Sequence, residues 1–258
     1  MPRGRYFGEG LPYLRPGELK GKLIAIEGTD GVGRSTHIEL LQEWLELQGY
    51  GVMTTGWTRS TLMSKTIEVA KQGNVLDRWS FSLLYATDFA DRLEHQIIPA
   101  LRSGFIVLAD RYVYTAFARD MVRSGGDSTW IRNIFGFALI PDLVCYLRID
   151  VDTLALRVIE GKGMNFWESG MDMKLGADIY DSFKRYQNLL VDAFDKMTEE
   201  FKFEVVDARK PPEEIQEDLR AKIEPILKKG KQGLLKVPTE EGADTTAPKV
   251  PATALPDS

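Results

Sequence analysis

The sequence predicts a three-layer α/β fold: a five-stranded parallel sheet with helices on both faces. Three observations carry this. Short apolar runs alternate with longer amphipathic segments from residue 21 to 229. Several of those runs are apolar almost throughout, as strands covered on both faces must be. A glycine-rich turn also separates the first apolar run from the first amphipathic segment.

The strands are expected at 23–27 (LIAIE), 51–55, 105–110 (FIVLAD), 143–149 (LVCYLRI) and 203–208 (FEVVDA). The first helix starts near Ser35, gathers Ile38, Leu41, Trp44 and Leu45 on one side and is closed by Gly49, a residue free to take the left-handed turn that ends helices. Further helices are expected over 78–102, 128–139, 152–160, 178–200 and 212–228, with Asp152 and Asp178 as N-caps. Residues 1–20 carry Gly, Pro and Arg without periodicity and read as an irregular arm. From residue 230 to 258 Lys, Thr, Pro, Ala and acidic residues leave little to bury, which predicts a disordered, solvated tail.

Composition excludes several roles. A formal charge of −5 argues against a general nucleic-acid binder. The single cysteine, Cys145, lies within an apolar run and supports neither a disulfide framework nor a cysteine zinc site. The stretch MPRGRYFGEGLPYL lacks the apolar core of a secretory leader, and no run reaches membrane-span length. The expected address is the cytoplasm, with no membrane partner.

The sharpest motif follows the first strand: Gly28, Thr29, Asp30, Gly31, Val32, Gly33, Arg34, Ser35, Thr36. Two glycines with four residues between them, then a basic residue and a hydroxyl, between strand and helix, form a P-loop. The glycines let successive N–H groups converge on an anion at a helix N-terminus. The basic residue reaches the outer phosphates of ATP, and Ser35 is placed to ligate Mg²⁺. The usual lysine is Arg34 here, a planar fork in place of a compact charge. Arg34 therefore reads as a working phosphate clamp, as the mark of an impaired kinase that still binds nucleotide, or as an accident of sequence. Downstream, Asp110 and Arg111 close a buried strand beside this loop. The carboxylate suits a metal and the guanidinium suits an acceptor phosphate, although a plain Asp–Arg pair closing the strand end fits too.

The stretch IAIEGTDGVGRSTHIELLQEWLELQGYGV, with IIPALRSGFIVLADRYVYTAFA, PDLVCYLRIDVDTLALRV and VVDARKPPEEIQEDL, resembles the thymidylate kinase family over residues 22–228. The resemblance implies phosphoryl transfer from ATP to a nucleoside monophosphate, dTMP first, by a homodimer. It assigns Asp30 to the acceptor's sugar, Arg59 and Arg111 to its phosphate, Tyr85 to stacking on its base and Glu168 to the lid's end near it. The turn at residues 207–209 would border the adenine. The lid is expected over 160–175, where Lys162, flanked by glycines, stands in for absent arginines. Phe89 occupies the position of a base-reading arginine, with Arg119 or Arg92 as possible replacements. Those departures leave two alternatives open: a different nucleotide or phosphate-ester acceptor, or a nucleotide-binding regulatory protein without turnover.

Overall fold

The computed structural model describes residues 5–73, 77–124, 128–230 and 233–236. Its sheet consists of β1 (Lys22–Gly28), β2 (Val52–Gly56), β3 (Ile106–Asp110), β4 (Leu143–Arg148) and β5 (Glu204–Asp207), in the order β2-β3-β1-β4-β5. Every pairing is parallel. The fold class is the one expected, and the strand positions agree with the apolar runs to within a residue or two.

Both faces of the sheet are buried because alternate residues of the central strands feed two separate cores. On one side Leu23, Ala25, Val107, Ala109, Val144 and Tyr146 meet α3 (Arg78–Arg92), α5 (Val113–Ser124) and α8 (Ile179–Phe201) through Phe89, Phe117, Tyr186, Leu190 and Phe194. On the other, Ile24, Ile26, Ile106, Leu108, Cys145 and Leu147 meet α1 (Arg34–Leu47), α7 (Val151–Glu160) and α9 (Pro212–Gly230). Each fully buried Leu, Ile or Phe contributes roughly 1.5–3 kcal/mol by leaving water, so these two layers dominate stability. Cys145 belongs to the second core; burial pushes its thiol up to about 12, leaving it inert.

Local chemistry sets the remaining elements. Asp178 caps α8 by accepting from the Asp181 N–H at 2.8 Å. At α7 the cap is Asp150, which accepts from the Thr153 N–H at 2.9 Å, so Asp152 is not the cap. The expected helix 78–102 is continuous in path but changes to π-type winding over Leu93–Ile97 before α4 (Ile98–Arg102). Pro99, which has no N–H to give the preceding turn, accounts for the irregularity. Two helices lie outside the expected set: α2 (Ser64–Gly73) and α5. The latter is rich in β-branched and aromatic residues with weak helix preference, and packing on β1 and α8 decides it. α6 (Thr129–Ile134) ends in a short 3-10 turn at Phe135–Phe137.

The arm before β1 is irregular in backbone yet seated: Tyr6, Leu14 and Leu19 join the first core, and Arg5 pairs with Asp142 at 2.8 Å. The expected tail needs correction over residues 233–236. Leu235 donates its N–H to the Gly104 carbonyl at 2.8 Å and accepts from the Gly51 N–H at 3.1 Å. Leu234 is buried in the second core, and Lys236 lies over the Tyr50 ring at 3.3 Å. The unpaired backbone just before β2 and β3 supplies the partners, which composition could not reveal. Residues 237–258 of the expected tail lie outside the described residues. Among the described residues no helix is long and apolar enough to cross a membrane.

Leu234→Ala is expected to lower stability by about 2 kcal/mol, or about 4–8 °C in Tm for a domain of this size. Calorimetry with an unchanged melting temperature would show that the segment does not dock.

Candidate active site

The site is assembled by strand register. Ile26 of β1 lies opposite Asp110 of β3, and Gly56 of β2 lies opposite the same residue. The turns leaving β1, β2 and β3 therefore converge at the C-terminal edge of the sheet, where open α/β folds collect ligands. They line one cleft of about 1310 Å³ that extends under the irregular segment between α7 and α8.

The turn after β1 closes as a P-loop requires. Gly31 and Gly33 have φ values of 88° and 96°, conformations that L side chains rarely adopt, and a side chain at Gly31 would collide with Val158. Asp30, Gly31, Gly33, Arg34, Ser35 and Thr36 face the cleft. The Val32 side chain instead packs into the second core, and Gly28 and Thr29 face inward with their carbonyls on Arg34. Arg34 is nearly buried and spans three acceptors: its Nε donates to Asp110 at 3.0 Å, and its Nη1 to the carbonyls of Gly28 and Thr29. Ser35 Oγ donates to the other Asp110 oxygen at 2.7 Å. Asp110 thus joins the basic residue and the hydroxyl of the loop, with Arg59 a further 3.8 Å away.

Next to this lies a second carboxylate shared by two guanidiniums. Asp30, 4% exposed, pairs with Arg111 and accepts from Arg119 at 3.0 Å. Arg111 holds a left-handed backbone with φ 67°, its N–H donating to the Ile26 carbonyl at 3.1 Å. Burial, followed by the neighbouring Arg119, pulls the Arg111 guanidinium down to about 9, still charged at neutral pH. An incoming anion would relieve that crowding.

Beyond the cations the cleft becomes aromatic. Tyr85 is packed between Trp57 at 4.8 Å and Phe81 at 5.0 Å, and Phe81 stacks on Trp167 at 5.5 Å. Of these, Trp57 and Phe81 lie outside the residues that the sequence points to, whereas Trp167 belongs to an aromatic cluster legible in it. Trp57, beside Arg59 in a loop following a strand, carried the one available signal: a large aromatic where a turn calls for polar residues. Over the cleft, Lys162 donates to Glu168 at 2.8 Å. Burial opposes ionisation of Glu168, but the hydrogen bond and charge of Lys162, the contact with Asn165 and the charge of Arg111 together outweigh it and hold the carboxyl below its ordinary value.

Two expectations change. Phe89 is fully buried among Tyr112, Phe135 and Phe137 and does not line the cleft, so it cannot touch an acceptor. Arg119 lines the cleft with its guanidinium engaged by Asp30 beside the P-loop rather than free to serve as a base donor. Arg92 is buried against Asp88 and stays outside the cleft. The lid segment lacks arginine, as its sequence says, but Arg157 in the last turn of α7 reaches the cleft wall and donates to the Ala208 carbonyl at 2.7 Å. Arg123, one turn beyond Arg119, ties Asp172 and the Tyr186 hydroxyl at 3.0 and 2.8 Å. His37 is buried against Gln216 and His95 is an exposed partner of Asp91, neither in the cleft.

Beneath the cleft, Glu27 is completely buried, accepting from the Tyr112 N–H at 2.8 Å and the Thr115 hydroxyl at 2.7 Å. Burial outweighs those bonds and pushes its carboxyl from 4.5 to about 7. The folded value exceeds the unfolded one, so the group favours folding fully below about pH 4.5 and loses that contribution as pH rises through about 7. Relative to wild type, Glu27→Gln is expected to gain about 3 kcal/mol between pH 4.5 and pH 8. Urea melts at several pH values check this, and a constant difference would refute it.

Comparison with known proteins agrees with this geometry. The family model described as thymidylate kinase matches residues 26–219. A probable thymidylate kinase 2 of Saccharolobus solfataricus is 38% identical over 204 residues, covering 78% of this chain and 95% of the relative. A probable thymidylate kinase of Pyrococcus abyssi is 31% identical over 210 residues, covering 79% and 96% respectively. A thymidylate kinase of Clavibacter sepedonicus is 32% identical over 218 residues, covering 82% and 99%. With a P-loop against Asp110, paired guanidiniums and an aromatic pocket in one cleft, and a match across most of its length, this chain belongs to the thymidylate kinase family of nucleoside monophosphate kinases.

Proposed function

We propose that the protein transfers the γ-phosphoryl group of ATP, as its Mg²⁺ complex, to dTMP, giving dTDP and ADP. The observation that carries this reading is the order of chemistry along the cleft: anion cradle, cation row, aromatic pocket. In phosphoryl transfer the protein mostly positions reactants and neutralises charge, so the absence of a histidine base from the cleft is no obstacle.

Ser35 and Asp110 offer a hydroxyl and a carboxylate oxygen 2.7 Å apart, a hard donor set that suits Mg²⁺. When bound, the ion would shield the charge that develops between the outer phosphates. The backbone N–H groups of residues 28–36 cradle the donor phosphates, and Arg34 neutralises them from the loop floor. Arg59 and Arg111 grip the acceptor phosphate and hold it in line. Asp30 faces the acceptor's sugar, with Arg119 setting the carboxylate's position. Tyr85, backed by Trp57 and Phe81, stacks on the base. Lys162 and Glu168 close from the lid, with Arg157 adding positive charge at its base. The named relatives do not favour a different acceptor or a protein without turnover. Homodimerisation and a cytoplasmic location complete the proposal.

A coupled ADP-release assay with Mg-ATP and each common nucleoside monophosphate tests it, dTMP being expected as the best acceptor. Arg34→Ala should cut kcat by about 100-fold or more, whereas Arg34→Lys should leave it similar or lower it modestly. ATP binding without turnover on any monophosphate would defeat the reading.

A further inference from the structure

The loop between β2 and α2 carries Trp57 and Arg59 into the cleft, yet it makes an unfavourable turn to do so. Thr58 has φ 59°, a left-handed backbone that a β-branched residue adopts only when its surroundings impose it. The imposing group is Asp88 of α3, which is completely buried. One of its oxygens accepts from the Thr58 N–H at 3.2 Å and the other from the Ser60 N–H at 3.1 Å, so a single carboxylate brackets Arg59. Asp91, one turn along the same helix, accepts from the Ser60 hydroxyl at 2.5 Å, and that hydroxyl in turn accepts from the N–H groups of Leu62 and Met63.

A carboxylate can stay charged in such a place only if it is paired. Its partner is Arg92, 1% exposed, which donates to Asp88 at 2.9 Å and to the Thr55 hydroxyl on β2 at 3.2 Å. Arg92 therefore ties the helix, the carboxylate and the strand that launches the loop into one unit, while Phe89 beside it fills the core. Neither Asp88 nor Arg92 faces the cleft.

We infer that Asp88 and Arg92 form a positioning pair that holds the Trp57–Ser60 turn so that Arg59 points at the acceptor phosphate. The inference rests on the kinase reading above. Asp88 acts through the backbone on either side of Arg59 and touches no reactant. Displacing a phosphate-binding group by a fraction of an ångström to an ångström is enough to cost up to about 100-fold in rate.

The test uses the full-length enzyme with Asp88→Asn, Arg59→Ala and the double variant, reading KM for dTMP, KM for ATP, kcat and Tm. The Asn amide turns an N–H₂ group toward donors, so it cannot bracket the turn as the carboxylate does. Asp88→Asn is expected to raise KM for dTMP about 10-fold or more while KM for ATP moves less than about twofold. In the Arg59→Ala background the same change should add less than about threefold, because no guanidinium is left to position. A fall in Tm with KM for dTMP unchanged, or effects that simply multiply in the double variant, would overturn the inference. If Asp88→Asn does not fold, Arg92→Lys keeps a cation beside Asp88 but cannot hold both that carboxylate and the Thr55 hydroxyl as the guanidinium does. It should raise KM for dTMP more than KM for ATP, and an unchanged KM for dTMP would count against the proposal. Turnover by wild type on another monophosphate moves the same comparison to that acceptor; no turnover on any monophosphate defeats the kinase reading and this inference with it.

Discussion

The parallel pairing of β1 with β3, in the register that sets Ile26 opposite Asp110, is the constraint on which the site depends. A shift of one residue would turn every side chain of β1 toward the wrong core, so the register is held by both hydrophobic layers at once. That rigidity reaches the cleft through covalent continuity. The P-loop leaves the sheet two residues after Ile26, and Arg111 follows Asp110 directly. The Arg34–Asp110–Ser35 contacts then bind the two turns to one another. Packing energy far from the chemistry thus becomes sub-ångström placement of the groups that would meet the phosphates.

A second regularity is the use of carboxylates held away from water to aim cations or backbone. Asp110 orients Arg34, Asp30 gathers Arg111 and Arg119, and Asp88 brackets Arg59 while pairing with Arg92. Each anion is nearly or fully buried and each is satisfied by donors, as burial of charge demands. Glu27 differs: its partners are a backbone N–H and a hydroxyl rather than a guanidinium in direct contact, and burial raises its carboxyl toward neutrality. The cleft therefore combines a cationic lining with a firm anionic scaffold behind it. A row of guanidiniums without that scaffold would repel itself and disperse into solvent.

The opposite end of the sheet is closed by two segments whose composition reads as an irregular arm and a solvated tail. The arm before β1 buries Tyr6, Leu14 and Leu19, and residues 233–236 lie against the backbone leading into β2 and β3. Three buried apolar residues, with Phe7 and Leu11 packed beside them, seat an otherwise polar and irregular arm when a hydrophobic layer lies within reach. Single leucines in a polar stretch do not announce that reach, because it depends on where the remainder of the chain has placed its edges.

By itself the sequence determined the α/β class, the five strands, the P-loop and the Asp110–Arg111 turn. These follow from local rules: apolar runs of strand length, glycines where backbone must approach a ligand, and a hydroxyl at a helix start. Tertiary structure alone decided which charged residue faces which. Arg92, Arg119 and Arg157 look alike as helical arginines, yet one is buried behind the core, one sits on Asp30 and one lines the cleft wall against the Ala208 carbonyl. Phe89 reads as a substituted binding residue until packing places it among Tyr112 and Phe135. Helix α5 forms although Val113, Tyr114, Thr115, Phe117 and Val122 prefer strands, because its aromatic face completes the first core. The physical reason is common to all of these: a side chain's partner is set by distances between elements remote in sequence, and those distances exist only once the two cores have closed on the sheet.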